Sequence, residues 1–483
     1  SSVPALKAAA VYTPLKAERV RALLGEGGAL EATLPAYEHR PQQVQMAEQV
    51  TDVLNEGRHA IIEAGTGTGK SLAYLAPAAL FALQNGERVV ISTNTINLQD
   101  QLIKKDIPDL CAALGLDVRA TVLKGRSNYL CPRRLEALRQ RGPANVDEMR
   151  VLAKVLTWLQ FSESGDRNEI NLNGPAERDV WSHISAEDEG CKAEVCMERT
   201  GGACPFYRVR QAAQSAHLLI VNHALLLSDV ATGNRVLPEF NFLIVDEAHH
   251  LESATTSALS FRVTHQDIVR LLREFGGTST GLLSRLLQML SAMLRPSDLA
   301  AMNQSVERAT TLVFRIEHAF TAFFHSVEEF LGELREGKPV GAYGQQERIL
   351  ESSRTLSPWT NVEITWDAAH EAIGLLANLV ADLYKTCGEL REFADEEFSD
   401  TLESLANAYR RLTDLDANLH GFVAQPQHDQ IYWAEISPNS YNLSLQVAPL
   451  HIGPLMEQFI WHQKDCVILT SATLTANEGF DYL

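Results

Sequence analysis

Residues 63–71 read Glu63-Ala64-Gly65-Thr66-Gly67-Thr68-Gly69-Lys70-Ser71. A short apolar run, 59–63, leads into this stretch, and a longer one, 72–83, follows it. Strand, glycine-rich loop and helix in that order form the setting in which a phosphate-binding loop works. Glycines let successive backbone N–H groups turn toward phosphate oxygens, a lysine reaches the β and γ oxygens, and a serine hydroxyl can ligate magnesium. Gly65, Thr66, Gly67, Thr68, Gly69, Lys70 and Ser71 are therefore the expected cradle for ATP and magnesium, with Lys70 also acting in catalysis. Ala64 stands where the general pattern has its first glycine. A chance glycine-rich turn is the plainer reading, and the flanking strand and helix weigh against it.

Working outward, Asn241-Phe242-Leu243-Ile244-Val245-Asp246-Glu247-Ala248-His249 is an apolar strand ending in paired carboxylates. Asp246 is expected to hold magnesium, and Glu247 to position and deprotonate the attacking water. This strand should lie beside the one that feeds the phosphate loop. Leu469-Thr470-Ser471-Ala472-Thr473-Leu474 ends another apolar strand, and its hydroxyls could couple the phosphate site to DNA. With further short apolar runs at 88–93, 119–123, 217–222 and 466–471, the pattern is α/β with a parallel sheet.

These strands are scattered along the chain, so the sheet domain carries two insertions. The expected divisions are a linker or N-terminal extension at 1–34, and the sheet domain at 35–131, 211–250 and 426–483. A cysteine-bearing domain with little clear periodicity occupies 132–210, and an all-helical one 251–425. In the latter, Leu282, Leu286, Met289 and Met293, then Leu312, Ile316, Phe320, Phe323 and Val327, then Ile373, Leu376, Val380 and Leu383 recur at helical spacing and read as core seams. Asp395-Glu396-Glu397 reads as a solvated helix start.

A net charge of -19 argues against whole-surface attraction to nucleic acid, because such binding needs cations that displace phosphate counterions. Contact must use local patches: Arg119, Lys124, Arg126, Arg133, Arg134, Arg139 and Arg141, or Arg199, Arg208 and Arg210. Solvated helix faces are the plainer reading of both, but both flank cysteines. Residues 72–83 fall far short of the roughly 20 apolar residues that span a bilayer, so no membrane partner is expected. Ser1-Ser2 without an initiating methionine reads as a start inside a longer protein.

Cys131, Cys191, Cys196 and Cys204 form a set of four that fits a cubane iron–sulfur cluster or tetrahedral zinc, and thiolate chemistry alone does not separate them. Disulfides are the weaker reading, since the chain has seven cysteines, an odd number. Cys111, Cys387 and Cys466 read as buried thiols. His249, directly after the carboxylates, could relay nucleotide state toward 471–473. His223 is equally a core partner or a DNA-side contact.

Residues 63–71, 246–249 and 471–473 resemble motifs I, II and III of superfamily-two helicases. Lys124-Gly125-Arg126-Ser127-Asn128-Tyr129-Leu130-Cys131 and Val221-Asn222-His223-Ala224-Leu225-Leu226 resemble the DinG branch of the DinG/XPD group, and the resemblance covers the chain from about Pro35 onward. It implies a RecA-like P-loop domain with a small iron–sulfur insertion and a helical arch. It implies that Arg40 and Gln43 recognise adenine, and that Thr93, Asn97 and Gln99 touch the DNA backbone. Lys124, Arg126, Tyr129 and Arg133 would line the path of the strand. It favours a 4Fe–4S cluster on the four cysteines, between the Gly125-Arg126 segment and Pro205-Phe206-Tyr207.

The same resemblance implies 5′-to-3′ movement on single-stranded DNA, with forked or tailed duplexes parted at the cluster region, in repair or replication, by a cytoplasmic monomer. The second RecA-like domain of the group has no counterpart before Leu483, so weak ATP and DNA binding and poor hydrolysis are expected of this chain alone. Residues 25–35 resemble a linker that follows an exonuclease domain in some DinG relatives. Two rival readings remain: an ATP-gated or redox-sensing DNA clamp that does not unwind, and an RNA helicase.

Overall fold

Ten strands form among the described residues of a computed structural model, which describes residues 4–35, 37–65, 69–187, 196, 200–234, 236–277, 280–341, 344–390, 396–437, 442–451 and 453–472. In chain order the strands are β1 (Ala60–Glu63), β2 (Val89–Thr93), β3 (Ala120–Val122), β4 (Leu218–Asn222), β5 (Phe242–Val245), β6 (Phe261–Thr264), β7 (Gln345–Arg348), β8 (Gln430–Ile436), β9 (Leu443–Pro449) and β10 (Cys466–Ser471). The chain divides into two compact units, Ser1–Leu259 with Ile452–Leu483, and Ser260–His451.

The first unit holds a six-stranded sheet in the order β1-β10-β5-β2-β4-β3, all pairs parallel. These are the six strands expected from the sequence. A parallel sheet covered on both faces buries whole strands, which explains their unbroken apolar runs: β2, β5 and β10 are buried along their full length, whereas the edge strands β1 and β3 are only partly so. The helix Lys70–Asn85 covers one face and is buried continuously from Ala73 to Ala82.

Residues 1–34 are more than a linker. Val20, Leu23 and Leu24 lie at helical spacing on Ala17–Leu24, and with Leu15 and Leu30 they are buried in the core of the sheet domain. Thr13 N–H donates to Asn85 Oδ1 and Leu15 N–H to Asn55 Oδ1, both at 2.7 Å. The cysteine-bearing segment is also more regular than its sequence pattern. Helices Pro132–Arg141, Val146–Trp158 and Gly174–Ile184 close over Leu130, Leu135, Leu138, Val151, Val155, Trp181 and Ile184.

The second unit is built on Pro296–Leu334, Trp359–Gly388 and Glu396–Val423, with the shorter His265–Phe275 and Gly281–Met293. The three seams expected from helical spacing lie in or against its core. It is not all-helical: β6-β9-β8-β7 form an antiparallel sheet. Residues 430–449 therefore belong here and not to the parallel sheet, where they were expected. The alternating burial along β8 marks a sheet with one face on a core, a period-2 signal overshadowed by the long helical seams beside it.

Trp359 is fully buried, its ring 4.9 Å from that of Phe330 at 76°. Trp359→Ala should destabilise the second unit by about 3–5 kcal/mol; denaturant unfolding followed by circular dichroism measures this, and a loss under about 1 kcal/mol would contradict the packing described.

Candidate active site

β1 ends at Glu63 and the helix carrying Lys70 and Ser71 begins seven residues on, so that its N-terminal amides and dipole face the end of the strand. Thr66, Gly67 and Thr68 lie outside the described residues; Gly65 is exposed, and Lys70 and Ser71 are half-buried. Gly69 has φ +76°, a left-handed conformation that a side chain disfavours. Its carbonyl accepts from Gln43 Nε2 at 2.9 Å, and Gln43 Oε1 accepts from the Tyr37 hydroxyl at 2.7 Å. Gln43 is thus a buried strut for the loop exit in this structure. Arg40 is solvent-facing and pairs with Glu38 at 3.2 Å.

Asp246 follows β5 and Ser471 ends β10. The expected adjacency of the β1 and β5 strands is corrected: β10 lies between them, Ile468 pairing with Ala60 on one side and Ile244 on the other. Parallel neighbours are joined by crossovers, so a strand from late in the chain can occupy the middle of a sheet. All three strands point their C-terminal ends the same way, which brings Lys70, Asp246, Glu247 and Ser471 to one edge.

Asp246 is 3% exposed. The Tyr74 hydroxyl donates to its Oδ2 and the Glu247 N–H to its Oδ1, each at 2.8 Å. Burial raises its pKa above the usual carboxylate value, and these two donors and the Lys70 charge offset only part of that rise. Glu247 has φ +53°, a conformation costly for a residue with a side chain and concentrated at functional positions. Its Oε2 accepts from the Asn94 N–H at 3.3 Å. His249 Nδ1 lies 2.6 Å from Ser471 Oγ, a direct link from the carboxylate segment to β10. Burial, then neighbouring His250, lowers the His249 ring below its ordinary value. His223 Nδ1 lies 2.7 Å from Ser92 Oγ, and the ring is buried with Nε2 unpartnered, so His223 is a core partner. Thr473 lies outside the described residues.

Tyr74 escaped the sequence reading. The available signal was position: it is the one polar-tipped side chain in the apolar run 72–83, three residues after Ser71.

The expected DNA contacts separate into two groups. Asn97 is exposed; Arg126 and Arg133 are half-exposed, the Arg126 guanidinium 5.0 Å from the centre of the Phe206 ring. Thr93, Gln99, Lys124 and Tyr129 are buried in this structure. Lys124 is ion-paired with Asp166, and its N–H donates to the Tyr129 hydroxyl at 3.1 Å. A buried lysine needs such a partner, and here the pair ties the Gly125-Arg126 segment to the cysteine-bearing helices.

Cys131, Cys196 and Cys204 are buried within one cluster that also contains Tyr129, Ala186, Phe206 and Tyr207; Cys191 and Arg199 lie outside the described residues. Among the described residues no group of three or more His, Cys, Asp or Glu side chains is arranged to hold a metal ion. Cys131 and Cys204 each sit at the N-cap position of a helix that opens with proline. Cys387 and Cys466 are buried, which pushes both thiols up to about 12. Among the described residues no helix is long and apolar enough to cross a membrane.

A glycine-bounded phosphate loop and strand-end carboxylates on a parallel sheet define a P-loop nucleotide-binding domain. Residues 40–142 match the DEAD/DEAH box helicase family and residues 182–268 the DEAD_2 family. A Bacillus subtilis protein named 3′-5′ exonuclease DinG is 30% identical over 95% of this chain and 48% of its own length. The ATP-dependent DNA helicase DinG of Photobacterium profundum is 26% identical over 98% of this chain and 67% of its own. The ATP-dependent helicase DinG of Mycobacterium tuberculosis is 37% identical over 48% of this chain and 37% of its own. A solved XPD helicase aligns over 91% of this chain and 59% of its own at 12% identity and a TM-score of 0.43. The chain is similar to DinG-type helicases over nearly its whole length, and it spans about half the length of the Bacillus relative.

Burial lowers both His223 and His217 to about 4. With an unfolded value near 6.5, the unfolded chain binds more protons between those limits, so stability is full above about pH 6.5 and falls as pH drops toward 4. His223→Gln should flatten that acid limb by up to about 3 kcal/mol; melting temperature against pH reads it, and an unchanged slope would contradict the buried neutral ring.

Proposed function

We propose that the protein is an ATP-driven helicase that moves on single-stranded DNA and unwinds duplexes. The convergence of Lys70, Asp246, Glu247 and the His249–Ser471 link on one edge of the parallel sheet carries this reading, and the chain's similarity to the Photobacterium and Mycobacterium helicases supports it. Lys70 neutralises the terminal phosphates, Ser71 and Asp246 hold magnesium, and Glu247 takes a proton from the attacking water. Bound magnesium supplies charge for the phosphates. Arg40 and Gln43 would recognise adenine, Gln43 by exchanging its hydrogen bonds.

Asn97, Arg126 and Arg133 are the reachable members of the proposed DNA path, and cationic side chains there suit a phosphate backbone. Forked or tailed duplexes as substrates, 5′-to-3′ movement, a role in repair or replication, and a cytoplasmic monomer follow from the resemblance alone. Cys131, Cys191, Cys196 and Cys204 would hold a 4Fe–4S cluster; the burial of three of these thiols in one cluster supports a common site, where the metal group would fix the helices that begin at Pro132 and Pro205.

The full-length protein should displace a strand from a 5′-tailed duplex with ATP, and Lys70→Ala should abolish displacement with DNA binding kept within about threefold. Displacement that survives the substitution, or equal turnover on DNA and RNA of one sequence, would count against the reading. Purified without oxygen, the chain should carry about four iron and four sulfide and absorb broadly in the visible, and Cys204→Ser should lose both; zinc in their place would exclude the cluster.

A further inference from the structure

From the contacts of its hydroxyl we infer that Tyr74 is a positioning residue for magnesium, fixing the Asp246 carboxylate in the orientation that binds the ion. The inference rests on the reading of this edge as an ATP site and adds a residue to it. Tyr74 is fully buried on the helix that carries Lys70 and Ser71. Its hydroxyl spans from that helix to the carboxylate after β5, donating to Asp246 Oδ2 at 2.8 Å. Ser71 stands three residues earlier on the same helix, so the phenol joins the element that carries one proposed magnesium ligand to the carboxylate that is the other.

The carboxylate geometry gives that bond its consequence. Oδ1 is already held by the Glu247 N–H at 2.8 Å. With Tyr74 on Oδ2, each oxygen accepts one donor and keeps one lone pair, and the plane of the group is set from both sides. Outer partners of this kind orient ligating groups and commonly account for 10- to 100-fold in metal affinity. A phenylalanine would fill the same volume in the alanine-rich helix while leaving a buried carboxylate oxygen without its donor, free to rotate away.

Binding of a fluorescent ATP analogue to the full chain, titrated with magnesium, tests this. Tyr74→Phe should raise the magnesium concentration at half-saturation about tenfold while leaving analogue binding in chelator unchanged. A magnesium requirement within twofold of the parent chain, at normal melting temperature, would overturn the inference and leave Tyr74 as packing. Should that variant not fold, Tyr74→Leu, which also lacks the hydroxyl, carries the same expectation. If the parent chain shows no magnesium-dependent binding, or Lys70→Ala does not weaken it, the ATP-site reading itself fails. The two failures are therefore distinguishable.

Discussion

A carboxylate removed from water must be surrounded by donors or it will not stay ionised, and Asp246 is the point at which this chain meets that demand. Its neighbours come from distant places in the sequence: a phenol on the helix after the phosphate loop and the amide of Glu247, with the Lys70 charge acting from across the edge. Such an arrangement works only if β1, β10 and β5 are parallel and in register. The apolar sheet is in this sense the instrument that holds a charged group where a divalent ion can use it. The strained backbone at Glu247 and the His249–Ser471 bond extend the same arrangement along the edge, so that carboxylates, histidine and β10 hydroxyl form a connected set.

How much of this was legible in the sequence depended on the length scale of the signal. Six strands were readable because a buried parallel strand is a short unbroken apolar run, and the helix start at Lys70 was readable because Gly69 precedes it at a strand-to-helix junction. The neighbours of β1 were not readable, since pairing is decided by crossovers spanning many residues. The burial of Lys124 and Tyr129 was not readable, because a lysine and a tyrosine in a glycine-containing segment carry no local mark of it. Only the tertiary partner Asp166 shows that the charge is enclosed. Tyr74 was hidden for the complementary reason: inside an apolar helix, a hydroxyl is easily counted as part of the packing.

The helical seams of the second unit were read correctly as core, yet its four-stranded sheet was missed. Helices of 39, 30 and 28 residues dominate any periodicity, and β8 and β9 follow them so closely that they fell on the wrong side of the boundary. The opposite error occurred at the N-terminus. There the glycines suggested a connector, while Val20, Leu23 and Leu24 supply enough apolar surface to anchor a helix to the core.

The placement of β10 also constrains how the protein is made. Its residues leave the ribosome after the whole of 260–451, yet they fill the gap between β1 and β5. A nascent chain that ends at residue 451 therefore has both halves of the nucleotide edge but lacks the strand that seats them against one another. Contacts of such long sequence separation form late. Completion of the parallel sheet is thus deferred until the second unit has been synthesised, and an early-terminated product would be left with an open, apolar seam through the middle of its sheet.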